Sequence, residues 1–381
     1  MVRCCMAERG IVSKTGGKVN TDPRSIVMIK SHSLGVGDLL RSSAAWRVLK
    51  NRWPNVQLHL VFLSKHPGYP TEALIQQHPL LTSAHFIMVR DKDPSHPQGH
   101  RTPFRAIWRS LQSICQAVKP DMVIDFEPHG IKTSLLTWLA GKSQGASTVG
   151  IAQFPLRSFF YEKSSPSVRE FAQSHALTLP MDYTNRDFVV LKALGLERSG
   201  TSIEMQVTDE GRAWQTLHQH RFQNNLPVIG LNIGCGTPDA MVKRPDLKHL
   251  AQCFSSLLAV FPANILLSGA PFETDVNQSF IALLKEMHTE DLHIIDAAGE
   301  TTLSSSSGLI DACDVFVSTD SGPYHMAVAL RKPTLVWFTH PEISSFHNEA
   351  WCLRLIQPSV EEFVSAVSTL FAKTKRQTDS V

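Results

Sequence analysis

The amino-acid sequence predicts an α/β protein made of two Rossmann-like parallel-sheet domains that face each other across a cleft. Three observations carry this. The chain has 381 residues, about twice what one hydrophobic core usually serves. Short β-branched runs alternate with helix-length apolar patterns through most of it. The alternation starts afresh at Pro227-Val228-Ile229-Gly230-Leu231-Asn232-Ile233, after a connection near 200–225. The expected organisation is a disordered tail over 1–24, a first domain over 25–205, a second over 206–358, and a closing helix with a polar tail over 359–381.

The elements follow in order. Ser25-Ile26-Val27-Met28-Ile29 reads as a strand buried on both faces, stopping at Ser31. Gly35-Val36-Gly37-Asp38 reads as a loop, and 39–52 as a helix that Pro54 ends. Strands are expected at 56–63, 85–89, 122–126 and 148–151, with helices at 103–117 and 131–140. The segment 92–103, with its His and Pro residues, reads as a loop. Residues 153–183 carry Phe154, Phe159, Phe160 and Tyr161 among Arg157, Lys163 and Arg169 without a period, so an irregular surface region is expected. A helix over 185–194 stops at Gly195. The second half repeats the pattern: strands at 227–233, 264–267, 293–296, 315–318 and 334–338, and helices at 247–261, 275–287, 304–312, 324–330 and 360–372.

Composition narrows the class. The chain is 43% hydrophobic and 19% charged, with a formal net charge of +3, which is ordinary for a globular protein and too small to imply nucleic-acid binding. No run approaches the length of a membrane-spanning helix. The first residues show no apolar stretch followed by a cleavage site, so no secretory signal is expected. The seven cysteines include the adjacent Cys4 and Cys5 and form no Cys-x-x-Cys pair. A disulfide framework or zinc site is therefore not expected, and a reducing compartment fits. His96 and His100 are separated by Pro97 and Gly99, which preclude the helix that would bring them together on a metal. No Gly-x-Ser-x-Gly elbow marks a serine hydrolase.

Four constellations carry chemistry. In Gly35-Val36-Gly37-Asp38 the glycines admit a tight turn, and Asp38 either acts as a base at the cleft or caps the helix. The third glycine of a dinucleotide fingerprint is missing. Gly234-Cys235-Gly236-Thr237, with Lys243-Arg244 shortly after it, suits a pyrophosphate or is a plain turn. Ser268-Gly269-Ala270-Pro271-Phe272-Glu273 places a carboxylate at a strand end, where it binds ribose hydroxyls or caps the next helix. The strongest is Ser318-Thr319-Asp320-Ser321-Gly322-Pro323-Tyr324-His325. Here a buried strand ends in a polar turn, and a helix begins with proline in its first turn, so free N–H groups favour a phosphate. Asp320 can accept sugar hydroxyls, and His325 can bond a phosphate or brace the loop.

Together these motifs resemble glycosyltransferase family 9, the bacterial heptosyltransferases, from Ile26 to about Phe338. The stretch Leu34-Gly35-Val36-Gly37-Asp38-Leu39-Leu40-Arg41 is similar to that family's glycine-Asp loop and helix. Asp121-Met122-Val123-Ile124-Asp125-Phe126 is similar to its mid-domain strand, and Thr319 to His325 to its most specific signature. Pro245 stands where the family has tryptophan, and Glu127-Pro128-His129-Gly130 where it has Gln-Gly. The resemblance implies a GT-B fold, inversion at the anomeric carbon, no metal or other cofactor, and an ADP-heptose donor. It also implies an anionic lipopolysaccharide-core acceptor and work in the cytoplasm, peripherally at the inner face of the inner membrane. By position Asp38 matches the base and Lys243 the residue on the donor phosphates. Glu273 matches the ribose ligand, while Asp320, Ser321, Gly322 and His325 match the donor loop, alongside Gly234, Cys235, Gly236 and Thr237. Acceptor contacts fall to Gly37, Lys132, Arg157 and Lys163 in the first half. Two other readings stay open: a nucleotide-sugar epimerase of the same architecture, and a non-catalytic nucleotide-sugar-binding protein.

Overall fold

A computed structural model describes residues 22–31, 35–64, 70–91, 100–223, 225–234, 238–287, 292–341 and 345–378. In the first half the strands are β1 (Ser25–Ser31), β2 (Gln57–Ser64), β3 (Ser83–Met88), a short ribbon β4 (Arg90–Asp91) and β5 (His100–Arg101), β6 (Met122–Asp125), β7 (Ser147–Ile151) and β8 (Lys163–Ser165). The second half holds β9 (Val228–Asn232), β10 (Asn264–Ser268), β11 (Ile294–Asp296), β12 (Val315–Thr319), β13 (Thr334–Phe338) and β14 (Cys352–Ile356). Two six-stranded sheets result, in the orders β3-β2-β1-β6-β7-β8 and β11-β10-β9-β12-β13-β14. All their pairings are parallel. Counted from its own start, each runs 3-2-1-4-5-6, the doubly wound order.

Both-face burial explains the strands. Ile26, Val27, Met28 and Ile29 are fully buried, and so are Val315 and Phe316. Such runs fit only a sheet covered on both sides. The helix Leu247–Val260 starts where Asp246 accepts a 2.8 Å bond from the His249 amide. The helix Val360–Thr378 places Phe363, Val367, Leu370 and Phe371 in the core of the second sheet. One apolar cluster runs from Ile26, Leu39 and Trp46 in the first half to Tyr324 and Met326–Ala329 in the second, so the halves share packing at their joint.

Several sequence expectations are corrected. The first helix begins at Val36, not 39; it runs Val36–Leu40, turns at Arg41 and continues as Ser42–Arg52. Asp38 therefore lies in a helical first turn, not in a loop. Residues 22–24 belong to the first domain: Trp53 Nε1 donates to Asp22 at 3.0 Å and the Arg24 amide to Asp121 at 2.8 Å. The segment 153–183 is built rather than irregular. It contains a 3-10 turn Arg157–Phe160, strand β8 and the helix Val168–Ser174 with a Ser167–Glu170 capping box. Strand β14 was not anticipated, since its half-exposed alternation reads weakly beside the buried runs. Residues 1–21, with Cys4 and Cys5, and His96 lie outside the described residues.

Candidate functional site

In a doubly wound sheet the connections diverge where the strand order reverses, leaving a crevice beyond the carboxyl ends of the two central strands. Here those pairs are β1/β6 and β9/β12. The segments following these four strands contain Asp38, Glu127, Gly234 and Asp320–Gly322, so most of the sequence motifs start from the two switch points.

The halves meet through helix starts. A Cβ built on Gly37 would lie 2.4 Å from the His325 ring, so only glycine admits this approach. One on Gly322 would lie 3.5 Å from Val36 Cγ2. The first turn of Val36–Leu40 thus packs on the first turn of Gly322–Ala329, and Asp38 is close enough to act on His325.

Around Asp38 the side chains interlock. Tyr183 Oη donates to Asp38 Oδ1 at 2.7 Å, and Arg41 Nη1 lies 3.4 Å from the same oxygen. The Asp38 side chain keeps 26% exposure, enough to meet a ligand. Beneath it, Asp187 takes Lys30 Nζ at 2.6 Å and Arg41 Nε at 3.1 Å, and it also accepts from Ser42 Oγ. Burial raises the cost of the Asp187 charge, but Arg41 and Lys30 outweigh it and hold the carboxyl below its usual range. Burial lowers Lys30. For Arg41, burial acts to lower the guanidinium, but Asp187, Tyr183, Asp38 and Glu127 together outweigh it and keep the group charged.

The second half offers an open cradle. Ser321 is the N-cap of Gly322–Ala329, with extended backbone and no side-chain cap among the described residues. Its hydroxyl is turned inward and donates to Asn232 Oδ1 at 2.9 Å. The first amides of the helix are thus left for a ligand, and the helix dipole favours an anion there. Lys243 Nζ, on a side chain 43% exposed, reaches Asp320 Oδ2 at 2.8 Å. Ser345 Oγ holds the other Asp320 oxygen at 2.6 Å. Thr319 Oγ1 donates to the Gly234 carbonyl at 2.8 Å, tying the two loops together. A Cβ on Gly234 would fall 1.7 Å from Glu273 Oε1, so glycine is required there for close approach. Glu273 is buried. Its Oε2 accepts from the Ala270 amide at 2.8 Å, and Arg244 lies 3.8 Å from Oε1. The capping contact read as one alternative for Glu273 is therefore formed.

Two predicted site residues are placed differently. Arg157 is fully buried and cannot meet an acceptor: it bonds Ser134 Oγ at 2.8 Å, Asp125 at 3.2 Å, and the carbonyls of Glu127 and Pro128. Gly37 is sealed under His325 rather than facing an acceptor. His325 is buried, with Nδ1 2.9 Å from His347 Nε2 and its ring stacked 5.3 Å from Tyr183. Burial pushes it down to about 4, and its contacts with His347, Tyr183 and Gly37 form the brace that the sequence offered as one alternative. Lys132 and Lys163 are exposed. Cys235, Gly236 and Thr237 lie outside the described residues.

Sequence reasoning missed Arg41, Asp187, Lys30, Tyr183 and His347. Their partners are up to 157 positions away, and only Arg41, three residues after Asp38, carries a local spacing signal. The Ser167-Val168-Arg169-Glu170 capping box near this region also had a readable signature. Among the described residues no group of three or more His, Cys, Asp or Glu could hold a metal ion, and no helix is long and apolar enough to cross a membrane.

The family model described as Glycosyltransferase family 9 (heptosyltransferase) matches residues 107–351. The chain is similar to lipopolysaccharide heptosyltransferase 2 of Escherichia coli K12, 29% identical over 156 residues, which is 40% of this chain and 43% of that protein. It therefore spans less than half the length of the curated relatives it matches. A glycosyltransferase family 9 structure from Veillonella parvula superposes with a TM-score of 0.66 at 18% identity, covering 92% of this chain and 97% of that one. E. coli ADP-heptose lipopolysaccharide heptosyltransferase II gives 0.61 at 18% identity, covering 92% and 99%. At such identities the shared feature is the fold, and that fold is GT-B.

Proposed function

The chain belongs to glycosyltransferase family 9, the heptosyltransferase family, and from that premise we propose that it transfers a heptose from a nucleotide-sugar donor to a lipopolysaccharide-core glycan. The reaction inverts the anomeric carbon and uses no metal. One observation carries the reading: the helix turn bearing Asp38 packs directly on the turn that opens the donor cradle. That packing supports a base on one helix start and a diphosphate site on the other, facing one crevice.

In this mechanism Asp38 takes the proton of the acceptor hydroxyl. The oxygen forms its bond to the anomeric carbon from the face opposite the nucleotide. The bond from that carbon to the phosphate oxygen breaks, and its electron pair leaves on the diphosphate. Lys243 turns from Asp320 to the diphosphate, and the amides at Ser321 and Gly322 add fixed dipoles where charge develops. Asp320 then accepts hydroxyls of the sugar, and Glu273, capping the short 3-10 helix Pro271–Glu273 after β10, shapes the loop that the ribose meets. General-base help contributes roughly 10²–10⁴-fold. ADP-heptose is the donor named for the similar E. coli enzyme, and we assign the same donor here. The exposed Lys132 and Lys163 would meet anionic acceptor groups, and the exposed Leu156 and Phe159 of the same half would rest against the cytoplasmic face of the membrane.

The test is incubation with ADP-heptose and a heptose-free lipopolysaccharide core, with and without a chelator. The acceptor should gain one heptose in inverted configuration at an unchanged rate. An isomerised sugar from donor alone would instead identify an epimerase. Donor binding without turnover on any acceptor would identify a binding protein.

A further inference from the structure

Asp38 is held by more than its own helix. Tyr183, from the 3-10 helix Tyr183–Asp187, donates to its Oδ1 at 2.7 Å. Tyr183 is itself fixed from both halves. From the first, the guanidinium groups of Arg41 and Arg186 lie 4.9 and 5.0 Å from its ring centroid. From the second, the His325 ring stacks on it at 5.3 Å, and its backbone amide donates to the Phe346 carbonyl at 2.8 Å. The neighbouring contacts repeat this stitching: the Asn348 amide donates to Asp182 at 2.6 Å, and Arg198 bridges Asp182 and Glu349 at 3.1 and 2.5 Å.

We propose that Tyr183 is the positioning residue of the base: its hydroxyl fixes the Asp38 carboxylate in one orientation and favours its charged form, and it does so only while the two halves are seated on each other. This rests on the reading of Asp38 as the general base. A hydrogen bond to a carboxylate favours ionisation. Burial and the Asp38 charge push the phenol well above its ordinary range, so it keeps its proton and stays a donor. Among the described residues, the other charged and titratable groups that act around the carboxylate include Arg41, Arg186 and Asp187 from the first half and His325 from the second. Lys30 and Glu127 lie behind Arg41, and Asp320 and Lys243 act on His325. Tyr183→Phe leaves every one of them in place and removes only the phenol donor.

The experiment compares Tyr183→Phe with Asp38→Asn in the full chain. In ADP-heptose transfer, Tyr183→Phe should lower kcat about tenfold with donor KM unchanged. The acid limb of its kcat/KM profile should move up by about one pH unit. A readout without substrate accompanies it. In ¹³C-carboxyl titration of the ligand-free protein, the Asp38 resonance, assigned by its loss in Asp38→Asn, should also titrate about one unit higher. Should Tyr183→Phe fold poorly, 3-fluorotyrosine at 183 keeps the packing and strengthens the donor, and the acid limb and the carboxyl titration should both move to lower pH. An unchanged titration and profile in these variants, with Asp38→Asn inactive, would overturn the positioning role and leave the base assignment standing. Full turnover by Asp38→Asn would overturn both.

Discussion

The two switch points of this molecule share one strand order and are built in opposite ways. The first, behind Asp38, is a closed lattice of buried charge: Lys30, Arg41, Ser42 and Asp187 satisfy one another, and Tyr183 locks the result to Asp38. The second is half open, with Lys243 exposed, Ser321 turned inward and the helix start uncapped. Under the proposed function the difference separates two tasks. A group that moves a proton gains from a fixed orientation, whereas a site that takes up and releases a charged nucleotide gains from donors that can change partner. Lys243, now on Asp320, is free to make that change.

The contrast can be broken most severely at Asp38. Asp38→Asn should lower turnover roughly 10²–10⁴-fold with donor affinity nearly intact, measured by transfer kinetics beside calorimetry. Equal losses of turnover and affinity would show that the two regions do not divide the work. Next comes the lattice itself. Asp187→Ala leaves Lys30 and Arg41 buried without their carboxylate and should cost about 3–5 kcal/mol of stability, read by denaturant unfolding. A loss under 1 kcal/mol would mean that the cluster relaxes or hydrates.

The joint between the regions should respond to acid. His325 is held down to about 4 by burial, and His347 is shifted the same way. Between pH 6.5 and about 4 the unfolded chain therefore binds a proton that the folded chain excludes. Stability is complete above the unfolded value and falls as pH drops through that window, by about 3 kcal/mol for His325. Melting temperatures across the window should show this fall in the parent and a shallower one in His325→Asn. Identical slopes would remove His325 from the effect. The smallest change belongs to the open side: Lys243→Ala should weaken donor binding about tenfold and leave the melting temperature unchanged, because its pairing with Asp320 is partly solvated. A marked loss of stability would mean that the cradle is as interlocked as the base.

Much of the fold was readable because its signals are local. Ile26–Ile29 and Val315–Val317 are apolar on consecutive positions, which only a doubly covered strand tolerates. Turns such as Asp320-Ser321-Gly322-Pro323 declare a helix start through proline geometry and free amides. The restart at Val228 gave away the second domain's sheet. The helix boundary at Val36 was misjudged because glycines punctuate it, and tertiary contact with His325 overrides their loop preference. Residues 153–183 show no period because they form short pieces whose side chains are satisfied by distant partners, as Arg157 is by Asp125, Glu127 and Pro128.

By itself, then, the order of residues determined most element types, the duplicated α/β plan and the two glycine-bearing segments that carry Asp38 and Asp320, since each follows from burial period or backbone stereochemistry within a few positions. Only the tertiary structure decided that Tyr183 grips Asp38, that Asp187 neutralises Lys30 and Arg41, and that Arg157 and Gly37 face inward. Those outcomes depend on which distant surfaces are pressed together and dehydrated, and neighbours 23–32 positions away for Arg157, or 145 or more for Asp38 and Ser42, leave no trace in a side chain's local sequence.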